Sequence, residues 1–274
     1  MAIDHKNLDE NLAQFSEQYV ANKPFPSLVL DRFLTNDSIQ TIQEDFPEVN
    51  DQFWTHYIHY NERKHGLTKW EHFPTSIQKL IVELQNQKFI IWLEQLTGIK
   101  NLFADVQLEG SGLHQTKNGG YLNIHADFTV HPKHPKWQRR VNVLVYLNDN
   151  WNAQWGGHLE LWNADMTKCE KRISPVSNRC VIFSTSKNTY HGYPNPISCP
   201  ENQSRKSIAL YYYTEEDEII KTATSYKARP TDGAKKWLIW ADSQLISTYS
   251  YIKGVTGLND DFVSSILNIF NKKK

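Results

Sequence analysis

Arg205-Lys206-Ser207-Ile208-Ala209-Leu210-Tyr211-Tyr212 alternates two kinds of surface along one segment. Successive side chains of a strand point to opposite faces. Lys206, Ile208, Leu210 and Tyr212 therefore share one face, and Arg205, Ser207, Ala209 and Tyr211 the other. If helices cover the Ile208/Leu210 face, the Arg205 face looks into the interior of a barrel. A guanidinium there is costly without an anion to pair with, and the small Ser207 and Ala209 leave room for one.

Working outward, the alternating period extends back to about residue 104. Strands are predicted at Ala104–Glu109, Leu113–Lys117, Tyr121–His125, Arg140–Leu147, His158–Trp162, Arg172–Ser174, Cys180–Ser184 and Lys206–Tyr213, separated by turn-rich stretches such as Asn118-Gly119-Gly120 and Gly156-Gly157. Short strands without long helices between them indicate a jelly-roll sandwich or barrel rather than a parallel α/β sheet. Upstream, apolar residues recur at helical spacing: Ile39, Ile42 and Phe46, then Ile77, Leu80, Ile81 and Leu84, then Phe89, Trp92, Leu93 and Leu96 before Gly98. These stripes are expected to pack on the chain's own sheet. After Glu218 helical character returns, with Trp237, Ile239, Trp240, Leu245 and Ile246 on one segment and Phe262, Val263, Ile266, Leu267 and Phe270 on another. The expected architecture is mainly β with flanking helices (α+β), a single unit over residues 1–274. Residues 1–103 are its mainly helical N-terminal part, 104–215 its barrel core and 216–274 a C-terminal helical extension.

Composition bounds the function. Thirty basic residues balance thirty acidic ones, against a chain that coats nucleic acid or an anionic membrane. Three cysteines, Cys169, Cys180 and Cys199, make neither a disulfide framework nor a Cys-rich zinc site. The opening MAIDHKNLDE is not a secretory signal, and no apolar run reaches membrane-spanning length. The expectation is a soluble protein of a reducing compartment, the cytoplasm, with no nucleic-acid or membrane partner. Its oligomeric state is left open.

Chemistry concentrates in Tyr121-Leu122-Asn123-Ile124-His125-Ala126-Asp127. On a strand His125 and Asp127 point the same way, giving an imidazole and a carboxylate side by side. His-x-Asp alone is a weak signal, equally suited to a surface pair. His191, beyond the Cys180–Ser184 strand, would complete a set of two histidines and one carboxylate, which leaves positions open on a divalent metal such as iron.

His125-x-Asp127, His191 and Arg205-x-Ser207, in that order, resemble the iron(II)- and 2-oxoglutarate-dependent oxygenases, most of all the prolyl 4-hydroxylase-like branch. The resemblance covers roughly residues 25–215 and takes in Pro24–Asp31, Val145–Trp151, Trp155–Leu161 and Asn178–Phe183. It implies a double-stranded β-helix with Fe(II) at one open end, held by His125, Asp127 and His191. It implies 2-oxoglutarate and dioxygen as co-substrates, with ascorbate admissible as reductant. Arg205 would bind the distal carboxylate of 2-oxoglutarate, helped by Tyr146 and Ser207, while Asn123 and Tyr121 line the pocket; Tyr121 alternatively belongs to the barrel core. The retained Asp127 favours hydroxylation of an unactivated C–H bond, with release of succinate and carbon dioxide, over halogenation. The substrate that the resemblance implies is a peptidyl proline or a related small molecule. Alternatives are the same chemistry on a sugar or other small metabolite, and a jelly-roll binding module without turnover.

Other residues carry less. His131 and His134 lie in a proline-punctuated segment expected to be a solvated loop, and Phe128–Arg140, with Lys133, Lys136, Arg139 and Arg140, is expected to border the substrate entrance. His158 is assigned a structural role, while either His114 or Gln115 faces the pocket. Trp137, Trp151, Trp155 and Trp162 are candidates for an aromatic wall suited to a proline ring or a sugar face.

Overall fold

The computed structural model describes residues 1–50, 52–219 and 221–256. In chain order the elements are α1 (His5–Glu10), α2 (Leu12–Ala21), β1 (Ser27–Asp31), α3 (Asn36–Asp45), β2 (Thr55–His59), β3 (Glu62–Leu67), α4 (Thr75–Gln85) and α5 (Gln87–Thr97). There follow β4 (Phe103–Ala104), β5 (Gly112–Thr116), β6 (Tyr121–Ala126), β7 (Trp137–Tyr146), β8 (Leu159–Trp162), β9 (Cys169–Ile173), β10 (Arg179–Ser184), β11 (Tyr190–Tyr193), β12 (Arg205–Glu215), β13 (Ser225–Tyr226) and α6 (Lys235–Thr256).

The strands form one curled antiparallel sheet in the order β1-β10-β7-β12-β5-β3-β6-β11-β8-β9, with β2 on β3, β4 on β12 and β13 on β6. The alternation of β12 sorts as the sequence requires. Ile208, Leu210 and Tyr212 are buried together with Val141, Val143 and Val145 of β7 and Cys180 and Ile182 of β10. Over them lie Ile77, Leu80, Ile81 and Leu84 of α4 and Phe89, Trp92, Leu93 and Leu96 of α5, so these helical stripes cover the sheet. Asn86 caps α5 by accepting from the Phe89 N–H at 3.0 Å, and Gly98 ends it in the left-handed region at φ 73°. The Tyr212 hydroxyl donates to the Leu84 carbonyl at 2.8 Å, pinning sheet to helix. On the inner side the curl packs Tyr146, Val181 and Phe183 against Leu159, Leu161 and Ile173 from the opposing strands.

Several elements differ from expectation for local reasons. Of Ala104–Glu109 only Ala104 is in a strand, because the Asp105 carboxylate accepts from the backbone N–H of Gln107 (2.8 Å) and Glu109 (2.7 Å) and bends the chain into turns. β7 begins at Trp137 rather than Arg140, since Tyr213–Glu215 of β12 continue as its partner. The N-terminal part adds three strands: β1, paired with β10, and the hairpin β2–β3, closed by Tyr60-Asn61. The hairpin lacks the Asn-Gly type of turn that marks such structures in a sequence. Trp237, Trp240 and Leu245 of α6 are exposed while Ile239 is buried. The Phe262–Phe270 stripe lies outside the described residues. No helix among the described residues is long and apolar enough to cross a membrane.

Candidate metal centre and anion site

β6 and β11 pair so that His125 and His191 are register partners, their ring centroids 4.5 Å apart. The close approach depends on Gly192, where a Cβ would stand 2.8 Å from the carbonyl oxygens of Leu122 and Asn123. Asp127 follows one residue beyond the end of β6. One ligand atom from each of His125, Asp127 and His191 lies within 4.8 Å of the others, and no other such group of His, Cys, Asp or Glu occurs among the described residues.

Hydrogen bonds fix how these side chains present themselves. His125 Nδ1 lies 2.9 Å from the Asn123 carbonyl and His191 Nδ1 3.1 Å from the Thr189 carbonyl. A carbonyl only accepts, so each Nδ1 carries a proton and each Nε2 is the nitrogen left to face a metal. The Nε2 atoms face Asp127, at 3.5 Å from Oδ1 and 3.6 Å from Oδ2 respectively. Asp127 Oδ2 accepts from Asn142 Nδ2 at 2.8 Å and is paired with Arg139 Nη2 at 3.0 Å, while Oδ1 faces His125. Burial alone would raise the Asp127 carboxyl, but Arg139, His191 and His125 hold it well below the usual carboxylate range. Burial pushes the His191 imidazole down to about 4 despite that carboxylate. Two imidazoles that present Nε2 and a buried carboxylate are the donor set of a first-row divalent metal with positions left open.

Arg139 and Asn142 are the residues that sequence reasoning missed. Arg139 counts there as one of four loop cations, yet it is 2% exposed, its Nε donating to Asn142 Oδ1 at 2.9 Å and its guanidinium lying 3.4 Å from the Tyr211 ring centre. The ladder between β7 and β12 skips Arg140 at a bulge, so Arg139 and Asn142, opposite in parity, both turn inward. Strict alternation hides this.

The second part of the site lies on β7 and β12. Arg205 is 4% exposed; its Nε donates to the Gly157 carbonyl at 2.9 Å and its Nη2 to the Tyr146 hydroxyl at 3.0 Å. The guanidinium carbon lies 4.1 Å from the Tyr193 ring centre. Among the described residues no carboxylate pairs with it, so a buried positive charge is left facing the interior. Ser207, also buried, is the register partner of Tyr146 and of His114. Of the pair on β5, His114 is thus on this face, and burial together with the charge of Lys64 pushes it down to about 3. Gln115 points away, donating to Ser204 Oγ at 2.7 Å.

Tyr121 and Asn123 tie β6 to the hairpin turn: the Tyr121 hydroxyl donates to the Tyr60 carbonyl at 3.1 Å, and Asn123 Nδ2 to Asn61 Oδ1 at 3.1 Å. Asn61 in turn donates to Asp242 of α6 at 2.7 Å. His131 is not solvated: it is fully buried, 3.2 Å from Asp105 Oδ2, because the turn that replaces the expected strand brings Asp105 beneath it. His134 stacks on Trp137 at 3.9 Å. His158 is half-buried, and burial lowers its pKa. The four tryptophans form no common wall. Trp151 and Trp155 meet edge to face at 5.3 Å, Trp137 packs on Phe103 at 4.8 Å, and Trp162 donates to Glu160 at 2.9 Å inside another cluster.

Residues 111–213 match the model of the 2OG-Fe(II) oxygenase superfamily. Among solved structures the chain is similar to a prolyl-4-hydroxylase of Pseudomonas putida (15% identity, TM-score 0.56, covering 75% of this chain and 100% of that one). It is also similar to a prolyl hydroxylase of Trichoplax adhaerens in complex with a hypoxia inducible factor peptide (18% identity, TM-score 0.51, covering 76% and 92%). At these identities the likeness is one of fold. No curated protein sequence matches the chain.

Proposed function

We propose that this chain is an iron(II)- and 2-oxoglutarate-dependent oxygenase, as the match of residues 111–213 to the 2OG-Fe(II) oxygenase superfamily supports, in which His125, Asp127 and His191 hold the iron and Arg205 binds 2-oxoglutarate. The enzyme is a 2-oxoglutarate-dependent dioxygenase that hydroxylates its substrate with release of succinate and carbon dioxide. The observation that carries the assignment is the convergence of His125 Nε2, His191 Nε2 and the Asp127 carboxylate, with both Nδ1 atoms committed to backbone carbonyls.

Iron bound there supplies dioxygen activation, with 2-oxoglutarate as the source of two electrons. The chain's own residues do the rest. Arg139 and Asn142 hold Asp127 ionised and fix its carboxylate in place. Arg205 pairs with the distal carboxylate, Tyr146 donates its hydroxyl beside it, and Ser207 adds a second hydroxyl. A charge-assisted contact of this kind is worth about 1.5–3 kcal/mol. Asn123 and Tyr121 position the His125 strand and border the pocket. The described helices and strands serve one oxygenase unit, since α4 and α5 back the sheet that carries Arg205 and α6 locks the hairpin beside His125.

The proposed substrate is a proline in a peptide or a related small molecule; a sugar or another small metabolite is the alternative. Three free cysteines suit a reducing compartment, and we place the protein in the cytoplasm. The test is oxygen-dependent succinate release by wild type, His191→Ala and Asp127→Ala. Both variants are expected to stay folded and to lose substrate-coupled 2-oxoglutarate decay; full activity in either would remove that residue from the ligand set.

A further inference from the structure

A second cation, half-buried, turns into the same hollow as Arg205, and the oxygenase reading gives it no part in binding. Lys64 lies on β3, where Gly66, two residues on, is the register partner of His114. His114 is partnered by Ser207, so alternation turns Lys64 toward the interior with them. The row that holds Arg205 runs to Thr116, whose hydroxyl is 2.9 Å from that of Tyr193. The Tyr193 ring in turn lies against Arg205 at 4.1 Å.

Lys64 is 16% exposed at its side chain, so solvent reaches it. Its ammonium pairs with Glu62 Oε2 at 3.0 Å and lies 5.3 Å from the Tyr57 ring centre. Glu62 itself is anchored: its Oε1 is 2.8 Å from His59 Nε2, and His59 Nδ1 is 2.8 Å from Asp242 of α6. An ammonium has three donors, and among the described residues a single acidic partner takes one. Its remaining donors turn into the hollow, where solvent reaches them and a ligand carboxylate could take its place.

We propose that Lys64 holds a carboxylate of the primary substrate, making that substrate a small organic acid rather than an internal residue of a peptide. This rests on the oxygenase reading of the site. A dicarboxylate co-substrate has two ends, one on Arg205 and the other at the iron, and neither is left for Lys64. The anion must therefore arrive on the second molecule. Lys64 already shares its charge with Glu62, which opposes added negative charge more strongly for a dianion such as phosphate than for a monoanion, and Lys64 offers no guanidinium fork. The β2–β3 hairpin and α6 thereby acquire a function, to hold this cation in the hollow that Arg205 also faces.

The experiment uses the full chain loaded with Fe(II) and 2-oxoglutarate. Succinate release is measured with a panel of amino, imino and 2-hydroxy acids, with their primary amides, and with an acetylated, amidated proline-containing peptide. At least one acid is expected to exceed its amide and the peptide by about tenfold or more. Lys64→Met should raise the KM for that acid about tenfold or more and erase the preference for acid over amide. Lys64→Arg should retain the preference, which a merely structural lysine would not predict. The visible band of the 2-oxoglutarate complex, read in each variant, reports whether the co-substrate site is intact; if Lys64→Met does not fold, Lys64→Gln takes its place. An amide or peptide that works as well as the acid, a panel without an active acid in a protein that binds Fe(II) and 2-oxoglutarate, or a preference surviving in Lys64→Met overturns the proposal. Failure of the wild type to bind Fe(II) and 2-oxoglutarate removes the oxygenase reading itself, and this inference with it.

Discussion

Arg139 Nη2 stands 3.0 Å from Asp127 Oδ2, and both side chains are removed from solvent. The guanidinium does not touch the proposed metal position; it acts through the carboxylate. Replacing it with methionine keeps most of the volume and leaves Asp127 buried with only Asn142 to hold Oδ2. Loss of an outer partner of a metal ligand typically costs 10–100-fold in affinity. Arg139→Met is therefore expected to weaken Fe(II) binding by about that factor, read by titration with the metal under anaerobic conditions. An unchanged affinity would show that Asn142 alone suffices.

Arg205→Ala separates the co-substrate from the metal. The lost contact should weaken 2-oxoglutarate by roughly ten- to a hundred-fold, since about 1.4 kcal/mol is a factor of ten. Fe(II) affinity should largely persist, because the metal ligands lie on or beside β6 and β11. 2-Oxoglutarate should also raise the melting temperature of wild type more than that of the variant. Equal affinity in both proteins would mean that the anion is held elsewhere.

The lock between the hairpin and α6 should depend on pH. Burial lowers the His59 pKa, but Asp242 and Glu62 outweigh it and raise the imidazole from 6.5 to about 9. Between these values the folded state binds the proton that the unfolded state has released, so stability falls as pH rises. The contribution is complete below about pH 6.5 and lost through about pH 9. His59→Gln is expected to flatten the decline in melting temperature across that window. The same slope in wild type and variant would remove His59 as its source.

Leu80 is fully buried between α4 and the sheet. Leu80→Ala should cost about 2–5 kcal/mol through lost transfer and cavity formation. Chemical denaturation should show a lower midpoint with an unchanged slope. A cost under about 1 kcal/mol would mean that the helix does not close the core as described.

The sheet and its helical cover are legible in the sequence because they follow simple periods. Ile208 and Leu210 alternate, Leu80 and Leu84 recur at helical spacing, and both patterns survive folding unchanged. His125, Asp127 and Arg205 are legible for the same reason, each sitting on or beside a regular strand. What stays hidden depends on departures from period. The bulge at Arg140 turns Arg139 inward, Asp105 replaces a strand by turns, and the hairpin carrying Lys64 is too polar to signal a buried strand. The four tryptophans mislead for a related reason: nearness in sequence sends them to separate clusters once the sheet curls.

The central claim is that His125, Asp127 and His191 hold iron that 2-oxoglutarate then joins. Its most direct test is an anaerobic titration of the protein with Fe(II) and 2-oxoglutarate, followed by visible absorption. Wild type should develop the weak charge-transfer band of the chelate and saturate at one iron per chain, whereas Asp127→Ala and His191→Ala should not develop it at the same concentrations. A wild-type protein that stays colourless, or variants that develop the full band, would contradict the account.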